Sequence, residues 1–147
     1  MTTVPEIFRY VSIYRALPER EQKVLLASLA LLPLFWLGLR LAGLLRFQAW
    51  LDRSPVAQRT PLTQAEAAAL GVAVNRAANH VFGPVTCLTR SLLLRWLLHR
   101  YGTTNDLCIG VRLEQGEFAA HAWVEKDGIP LNDRPEFVAR YAIFDPK

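Results

Sequence analysis

The stretch that decides the fold runs from residue 105 to residue 133 and reads NDLCIGVRLEQGEFAAHAWVEKDGIPLND. Apolar residues alternate with small or polar ones over residues 107–113, which is the period of a half-buried strand. The same pattern predicts a second strand over 118–125 and a shorter third strand over 129–133, each following a turn that contains glycine. An antiparallel meander is therefore expected in this part of the chain.

Upstream of the meander, the chain has the signals of helices. A capping box at Thr63 and Glu66 marks one helix start, and Gly102 marks a helix end. Residues 52–61, with two prolines and no periodicity, are expected to be a linker. Three helices are predicted, over residues 18–51, 64–80 and 87–101.

Helices followed by antiparallel strands are typical of an α+β fold. We expect an N-terminal helical region, residues 1–62, to pack on a catalytic region, residues 63–147, in one compact domain. The net charge of +4 is spread along the chain without a basic stripe interleaved with aromatics, which argues against a nucleic-acid partner. Two cysteines are too few for a disulfide scaffold, and this favours a reducing cytoplasm.

An apolar run at residues 24–39 is sixteen residues long, contains no charge and is interrupted by Pro33. A membrane-spanning helix usually needs about 18 or more apolar residues. We therefore expect most of this run to be buried against the catalytic region, as one helix or as a helix pair kinked at Pro33. Peripheral membrane contact stays open as an alternative, and so does a membrane-associated scaffold without enzymatic activity.

Cys87 lies at the predicted start of the third helix. The unpaired amides and the dipole at a helix N-terminus stabilise a thiolate, which is the reactive form of cysteine, and can hold a developing oxyanion. The backbone amide of Cys87 is the one oxyanion donor that the sequence indicates. The competing interpretation is a buried, small apolar residue, which is a common role of cysteine.

His121 and Asp133 lie on consecutive predicted strands. Alone, each is more often structural, as a core histidine or a solvated turn carboxylate. If residues 126–128 form a three-residue loop, His121 stands directly opposite Asp133. The same loop type at 114–116 sets Ile109 opposite His121. One sheet face then carries the following residues: Leu107, Ile109, Val111, Ala119, His121, Trp123, Leu131 and Asp133.

That face is predicted to pack on the helix that begins at Cys87. The three side chains would then form a nucleophile, a base and the group that orients the base. Cys108 falls on the opposite face in this register and is interpreted as structural. A zinc site made from Cys87, His121, Asp133 and either His80 or His99 is an alternative, but the spacing matches no common zinc module.

Four blocks make the sequence similar to a known family. They are PVTCLTRSL at 84–92, IGVR at 109–112, AHAWVE at 120–125 and LND at 131–133. Over about residues 64–135 the chain resembles the lasso-peptide leader peptidases, which are transglutaminase-like, papain-like cysteine peptidases known as lasso-peptide B proteins. The resemblance implies a Cys-His-Asp triad of Cys87, His121 and Asp133, without a metal or cofactor.

The resemblance also implies a substrate and partners. Family members cut the leader from a ribosomally made precursor peptide, and a separate ATP-using cyclase then closes the lasso ring on the freed amine. Some members carry a fused leader-binding module, whereas the first sixty residues here are predicted to be helical. The chain therefore looks like the split form, a bacterial cytoplasmic protein whose leader-binding partner is a separate protein. An acyltransferase that uses an amine acceptor on the same triad stays open.

Overall fold

The computed structural model describes residues 4–57 and 60–144. Its order of helices first and antiparallel strands afterwards confirms the predicted α+β fold. A helix that the sequence did not predict, α1, precedes the others. Positions 58 and 59 of the predicted linker lie outside the described residues. The elements are α1 (Val4–Ala16), α2 (Glu19–Ala42), α3 (Leu44–Leu51), α4 (Gln64–Ala78), α5 (Cys87–Arg100), β1 (Asp106–Glu114), β2 (Glu117–Lys126), β3 (Ile129–Pro130), α6 (Pro135–Val138) and β4 (Ala142–Ile143).

The predicted helix over residues 18–51 is in fact two helices, α2 and α3, divided at Gly43. Gly43 has φ +74°, a conformation that glycine adopts without the steric cost other residues meet. Its amide donates to the carbonyl of Leu39 and closes the last turn of α2. Pro33 lies inside α2 and does not end it.

The expectation that most of residues 24–39 are buried is wrong. Only 22% of the most apolar window of α2 is buried. Val24, Ser28, Leu32 and Phe35 recur at helical spacing and form the buried face, which packs on α4 and α5. The rest of α2 exposes five leucines to solvent: Leu26, Leu29, Leu34, Leu37 and Leu41.

Among the described helices, α2 is the one whose length and composition would let it cross a membrane. Core helices of soluble proteins and signal sequences share that length and composition. The helix lies near the N-terminus, and one of its faces is part of the main core.

The capping box predicted at the start of α4 is present. Thr63 Oγ1 accepts from the amide of Glu66 at 3.2 Å, and Glu66 Oε2 accepts from the amide of Thr63 at 2.8 Å. Both orphan amides are satisfied, so α4 begins at Gln64 as expected. The main core lies where α2, α4 and α5 meet one face of the sheet; its fully buried members include Leu32, Leu70, Val74, Leu92, Leu93 and Val124.

The sheet has the strand order β3-β2-β1-β4, and every pairing is antiparallel. The segment after residue 134 forms α6 and then adds β4 to the free edge of β1 at Gly110 and Val111. The C-terminal part of the described chain therefore extends the sheet at the edge opposite to β3.

Both predicted three-residue loops are wrong, because each hairpin has a two-residue turn. Gly110 faces His121 across β1 and β2, and Glu125 faces Pro130 across β2 and β3. The turn residues Gln115–Gly116 and Asp127–Gly128 all have positive φ, between 52° and 84°. Two positive values in a row are the type I′ geometry, which matches the twist of paired strands better than other short turns.

This shift of one residue changes which side chains share a sheet face. His121 and Trp123 of β2 lie on one face with Cys108 and Gly110 of β1, not with Leu107, Ile109 and Val111. Cys108 is therefore on the face of His121, contrary to the prediction. The other face carries Val124 opposite Leu107, and it is this face that packs on α5.

Candidate active site

Cys87 is the first residue of α5, and its thiol is free and half-buried. Thr86 caps the helix, since its Oγ1 accepts from the amide of Thr89 at 3.3 Å and its carbonyl accepts from the amide of Arg90 at 3.1 Å. Within the described residues, the amides of Cys87 and Leu88 have no hydrogen-bond partner. Two donors therefore stay free beside the thiol, at the positive end of the helix dipole.

His121 and Asp133 are joined by a hydrogen bond of 2.5 Å between Nε2 and Oδ2. The second carboxylate oxygen, Oδ1, accepts from the amide of Arg134 at 3.0 Å. Both oxygens of Asp133 are thus held, which fixes the plane of the carboxylate. The other ring nitrogen of His121, Nδ1, makes no hydrogen bond to any described residue.

This contact forms although the register that predicted it is wrong. Continued pairing beyond Glu125 and Pro130 would set His121 opposite Arg134 and turn Asp133 to the other face. The strand β3 ends at Pro130 instead, and residues 131–133 follow as bends. The chain leaves the sheet at this point, and Asp133 reaches the face of His121 from beside the edge of β2.

Asn132 is a site residue that the strand analysis missed. The amide of Leu131 donates to the carbonyl of Val124 at 2.9 Å, as a regular ladder requires, but the amide of Val124 donates to Asn132 Oδ1, also at 2.9 Å. A side-chain oxygen thus takes the place of the carbonyl of Leu131. The sequence did carry a signal for this role, because Asn132 directly precedes Asp133. Asparagine side chains readily replace backbone hydrogen bonds where regular structure stops.

The start of α5 runs beside the edge of β2. Ser91 Oγ donates to the carbonyl of Ala122 at 3.0 Å. Cys87 lies four residues earlier on the same helix face, about 6 Å along the axis. The structure therefore brings Ser91, one helical turn after Cys87, to the strand position next to His121. No hydrogen bond joins Cys87 to His121 within the part of the chain that the structure describes.

The family profile of the Transglutaminase-like superfamily matches residues 29–144. The chain belongs to the transglutaminase-like superfamily. The match begins inside α2 and extends through β4, and it is wider than the 64–135 segment that carries the motifs. No curated protein and no solved structure matches the chain. Transglutaminase-like proteins include cysteine peptidases and acyltransferases, and their catalysis generally depends on a cysteine.

The second cysteine of this transglutaminase-like chain lies in a different environment. Cys108 is buried in β1 among Trp123, Val138 and Tyr141. Burial, together with the nearby carboxylates of Glu125 and Asp106, raises the pKa of its thiol to about 11. Because the thiolate is the nucleophilic form, Cys108 is held in its unreactive state.

Aromatic rings surround His121, and of these the sequence analysis placed only Trp123 on its sheet face. The imidazole meets Phe137 edge-on at 5.2 Å between ring centroids, lies 5.4 Å from Tyr141 and stacks on Trp123 at 6.0 Å. The guanidinium of Arg112 lies 4.9 Å from the ring centre of Tyr141. Phe137 and Tyr141 come from α6 and the segment after it, so this C-terminal segment shields one side of the imidazole from water.

The alternative zinc site is not assembled in the structure. His99 lies twelve residues after Cys87 on α5, which places it about 18 Å away along the helix axis. Its Nε2 is hydrogen-bonded to the carbonyl of Ser54 at 2.8 Å. His80 makes an edge contact with Tyr10 at 5.7 Å between centroids. Residues 4–57 and 60–144 contain no group of three or more histidine, cysteine, aspartate or glutamate side chains that could hold a metal ion.

Proposed function

We propose that this transglutaminase-like protein is a cysteine peptidase that removes the leader from a lasso-peptide precursor. The observation that supports this most is the His121–Asp133 hydrogen bond beside the helix that begins at Cys87. It supplies a base held by a carboxylate, and the start of α5 supplies a candidate nucleophile at a helix N-terminus. In the proposal Cys87 is the nucleophile, His121 the base and Asp133 the group that orients the base.

The proposed reaction proceeds in two steps. Because Asp133 occupies Nε2, His121 Nδ1 takes the thiol proton as the sulfur of Cys87 attacks the scissile carbonyl carbon. The amides of Cys87 and Leu88 hold the oxyanion while the C–N bond breaks and the imidazolium protonates the leaving amine. Water then attacks the thioester, the S–C bond breaks, and the leader leaves as a carboxylate. In the proposal, the thiol and the imidazole form their hydrogen bond when substrate binds, since catalytic hydrogen bonds are often long or poorly aligned before that.

The proposed substrate and partners rest on the sequence blocks around these residues. CLTRSL at 87–92 and AHAWVE at 120–125 occur in the order of the leader peptidases that the chain resembles. The proposed partners are the precursor peptide, a separate leader-binding protein and the cyclase that uses the freed amine. The proposed compartment is the bacterial cytoplasm.

The test is cleavage of a synthetic precursor by the purified chain, followed by mass spectrometry. We expect slow cleavage at one bond by the chain alone and faster cleavage when the leader-binding protein is added, because that protein concentrates and orients the leader. Equal rates with and without this partner would contradict the split system. A precursor left intact under both conditions would contradict the peptidase assignment.

An acyltransferase is the nearest rival, because the same residues can pass the acyl group to an amine instead of water. The two reactions differ in what enters the product. In heavy-oxygen water, the peptidase yields a leader whose new carboxylate carries one heavy oxygen. The transferase yields an unlabelled amide with the added amine. Mass spectrometry of the released leader distinguishes these products.

A membrane-associated scaffold is the second candidate, and the exposed leucines of α2 favour it over a purely globular role. Apolar side chains on a long helix can lie in a membrane interface. Phase separation of the purified chain between buffer and a detergent-rich phase measures this property. A chain that stays in the buffer phase contradicts the scaffold. A detergent-bound chain that still cleaves precursor would combine both properties in one protein.

A further inference from the structure

Asn132 connects three elements of the fold at the position just before Asp133. Its Oδ1 accepts from the amide of Val124 on β2 at 2.9 Å, and its Nδ2 donates to Ser91 Oγ on α5 at 3.1 Å. Its backbone carbonyl accepts from Asn75 Nδ2 on α4 at 2.9 Å. The segment that carries the orienting carboxylate is therefore fixed to two helices and a strand.

Ser91 completes the connection to the nucleophile. Its side chain is fully buried, and its hydroxyl accepts from Asn132 while it donates to the carbonyl of Ala122. Each of its partners is the chain neighbour of a site residue, since Ala122 follows His121 and Asn132 precedes Asp133. Ser91 itself lies one helical turn after Cys87.

We propose that Ser91 and Asn132 are positioning residues that set the His121–Asp133 pair relative to Cys87. This inference rests on the proposed function of the three site residues. Neither Ser91 nor Asn132 contacts the reacting atoms. They act through the backbone of β2 and through the first turns of α5, and a shift of about 1 Å in such a site can lower turnover 100-fold.

The geometry around Gly71 explains why Asn132 is needed. A Cβ atom at Gly71 would collide with the carbonyl oxygen of Leu131, so that carbonyl lies against α4 and away from the amide of Val124. The oxygen of Asn132 satisfies this amide in its place. Because the side chain of Asn132 replaces the carbonyl of Leu131, regular strand pairing can end at Pro130. Asp133 then reaches the face of His121.

The test compares two fully buried serines. Ser28 on α2 is as buried as Ser91, but its hydroxyl makes no hydrogen bond within the described residues. In Ser91→Ala we expect turnover of precursor to fall by roughly 10- to 100-fold with little change in KM. In Ser28→Ala we expect both constants to stay within about twofold, because no hydrogen bond is lost.

The second readout is the pH profile of alkylation of Cys87 by iodoacetamide, which needs no precursor. The wild-type profile is the reference, because the rate of alkylation depends on how the imidazole and the thiol interact. In Ser91→Ala the profile should move to higher pH, whereas in Ser28→Ala it should not. A lower melting temperature with an unchanged profile and unchanged turnover would show that Ser91 is structural only, and would overturn the inference.

A profile that moves in a protein that does not cleave precursor would support the positioning role and contradict only the proposed substrate. If Ser91→Ala does not fold, Asn132→Ala is the replacement variant. It removes the donor to Ser91 and the acceptor for Val124 without adding a charge beside Asp133, so the same shift of the profile is expected. An Asn132→Ala protein with wild-type turnover and a wild-type profile would overturn the proposal.

Discussion

The two edges of β2 are built differently. Toward β1, nine residue pairs run without a break from Asp106–Glu125 to Glu114–Glu117. Toward β3 there are only two pairs, and beyond them the side chains of Asn132 and Ser91 occupy hydrogen-bonding positions of the strand. Where the ladder is complete, the backbone groups of β2 are already paired, so no side chain from outside the sheet can bond to them. The candidate site therefore lies on the edge where the ladder stops.

The largest difference in activity should be between variants of the two cysteines. Cys87 begins α5, which runs beside the open edge of β2, whereas Cys108 lies in β1 on the fully paired side. Cys87→Ala should lower precursor cleavage by about 10⁴-fold or more, because it removes the nucleophile. Cys108→Ala, on the β1 side, should leave turnover within a few-fold of wild type. Release of leader measured by mass spectrometry checks both variants. Loss of activity in a folded Cys108→Ala protein would reverse the assignment.

Asp133→Asn should have the next largest effect. The amide keeps the shape of the side chain but no longer stabilises the imidazolium or selects the correct tautomer, so turnover should fall by roughly 10²- to 10⁴-fold. Asp127→Asn is the matched control, since Asp127 lies in the turn of the same hairpin. Circular dichroism should show both proteins folded. Equal activity in the two variants would place Asp133 outside the mechanism.

Gly71→Ala tests whether the early end of the ladder depends on space beside α4. The added methyl group would push the carbonyl of Leu131 back toward β2, and overpacking of this kind destabilises proteins by about 1–3 kcal/mol. We expect lower stability in urea and lower turnover together. Val72→Ala, at an exposed neighbour on the same helix, is the control. Wild-type stability and turnover in Gly71→Ala would mean that the segment after β3 can move without consequence.

The smallest effect concerns Cys108 and pH. Its pKa is raised from an ordinary value of 9.0 to about 11, so the folded protein keeps a proton that the unfolded chain releases. The stability from this group is present below pH 9.0 and is lost as the pH rises through about 11. Alkylation of Cys108 in Cys87→Ala should therefore stay slow at pH 8 and accelerate toward pH 11. Fast alkylation at pH 8 would contradict the burial of this thiol.

The sequence predicted those parts of the molecule that depend on local signals. The capping box at Thr63, the helix that begins at Cys87 and the strands β1 and β2 could be predicted because each is set by neighbouring residues, whereas β3 is shorter than the predicted strand over 129–133. The hydrogen bond between His121 and Asp133 was also predicted, but by a register that the structure does not have.

Some of the errors have physical causes that a pattern does not carry. Gln115 adopts positive φ, which its residue type does not signal, so the two-residue turn at Gln115–Gly116 was missed. Asp127–Gly128 is a residue pair that such turns prefer, so the signal for the second turn was present in the sequence. The end of α2 at Gly43 is a local glycine cap, whereas the solvent-exposed face of α2 depends on which other elements pack beside the helix. Asn132 gained its role only because β3 stops at Pro130.

The aromatic neighbours of His121 have a consequence for proteolysis. Phe137 and Tyr141 follow Asp133 in the chain, so a cut just after Asp133 would separate both rings from the imidazole and its carboxylate. Trp123 would also lose its contacts with Val138 and Tyr141. Such a cut would open one side of the imidazole to water without removing any residue of α1–α5 or of the β1–β2 hairpin.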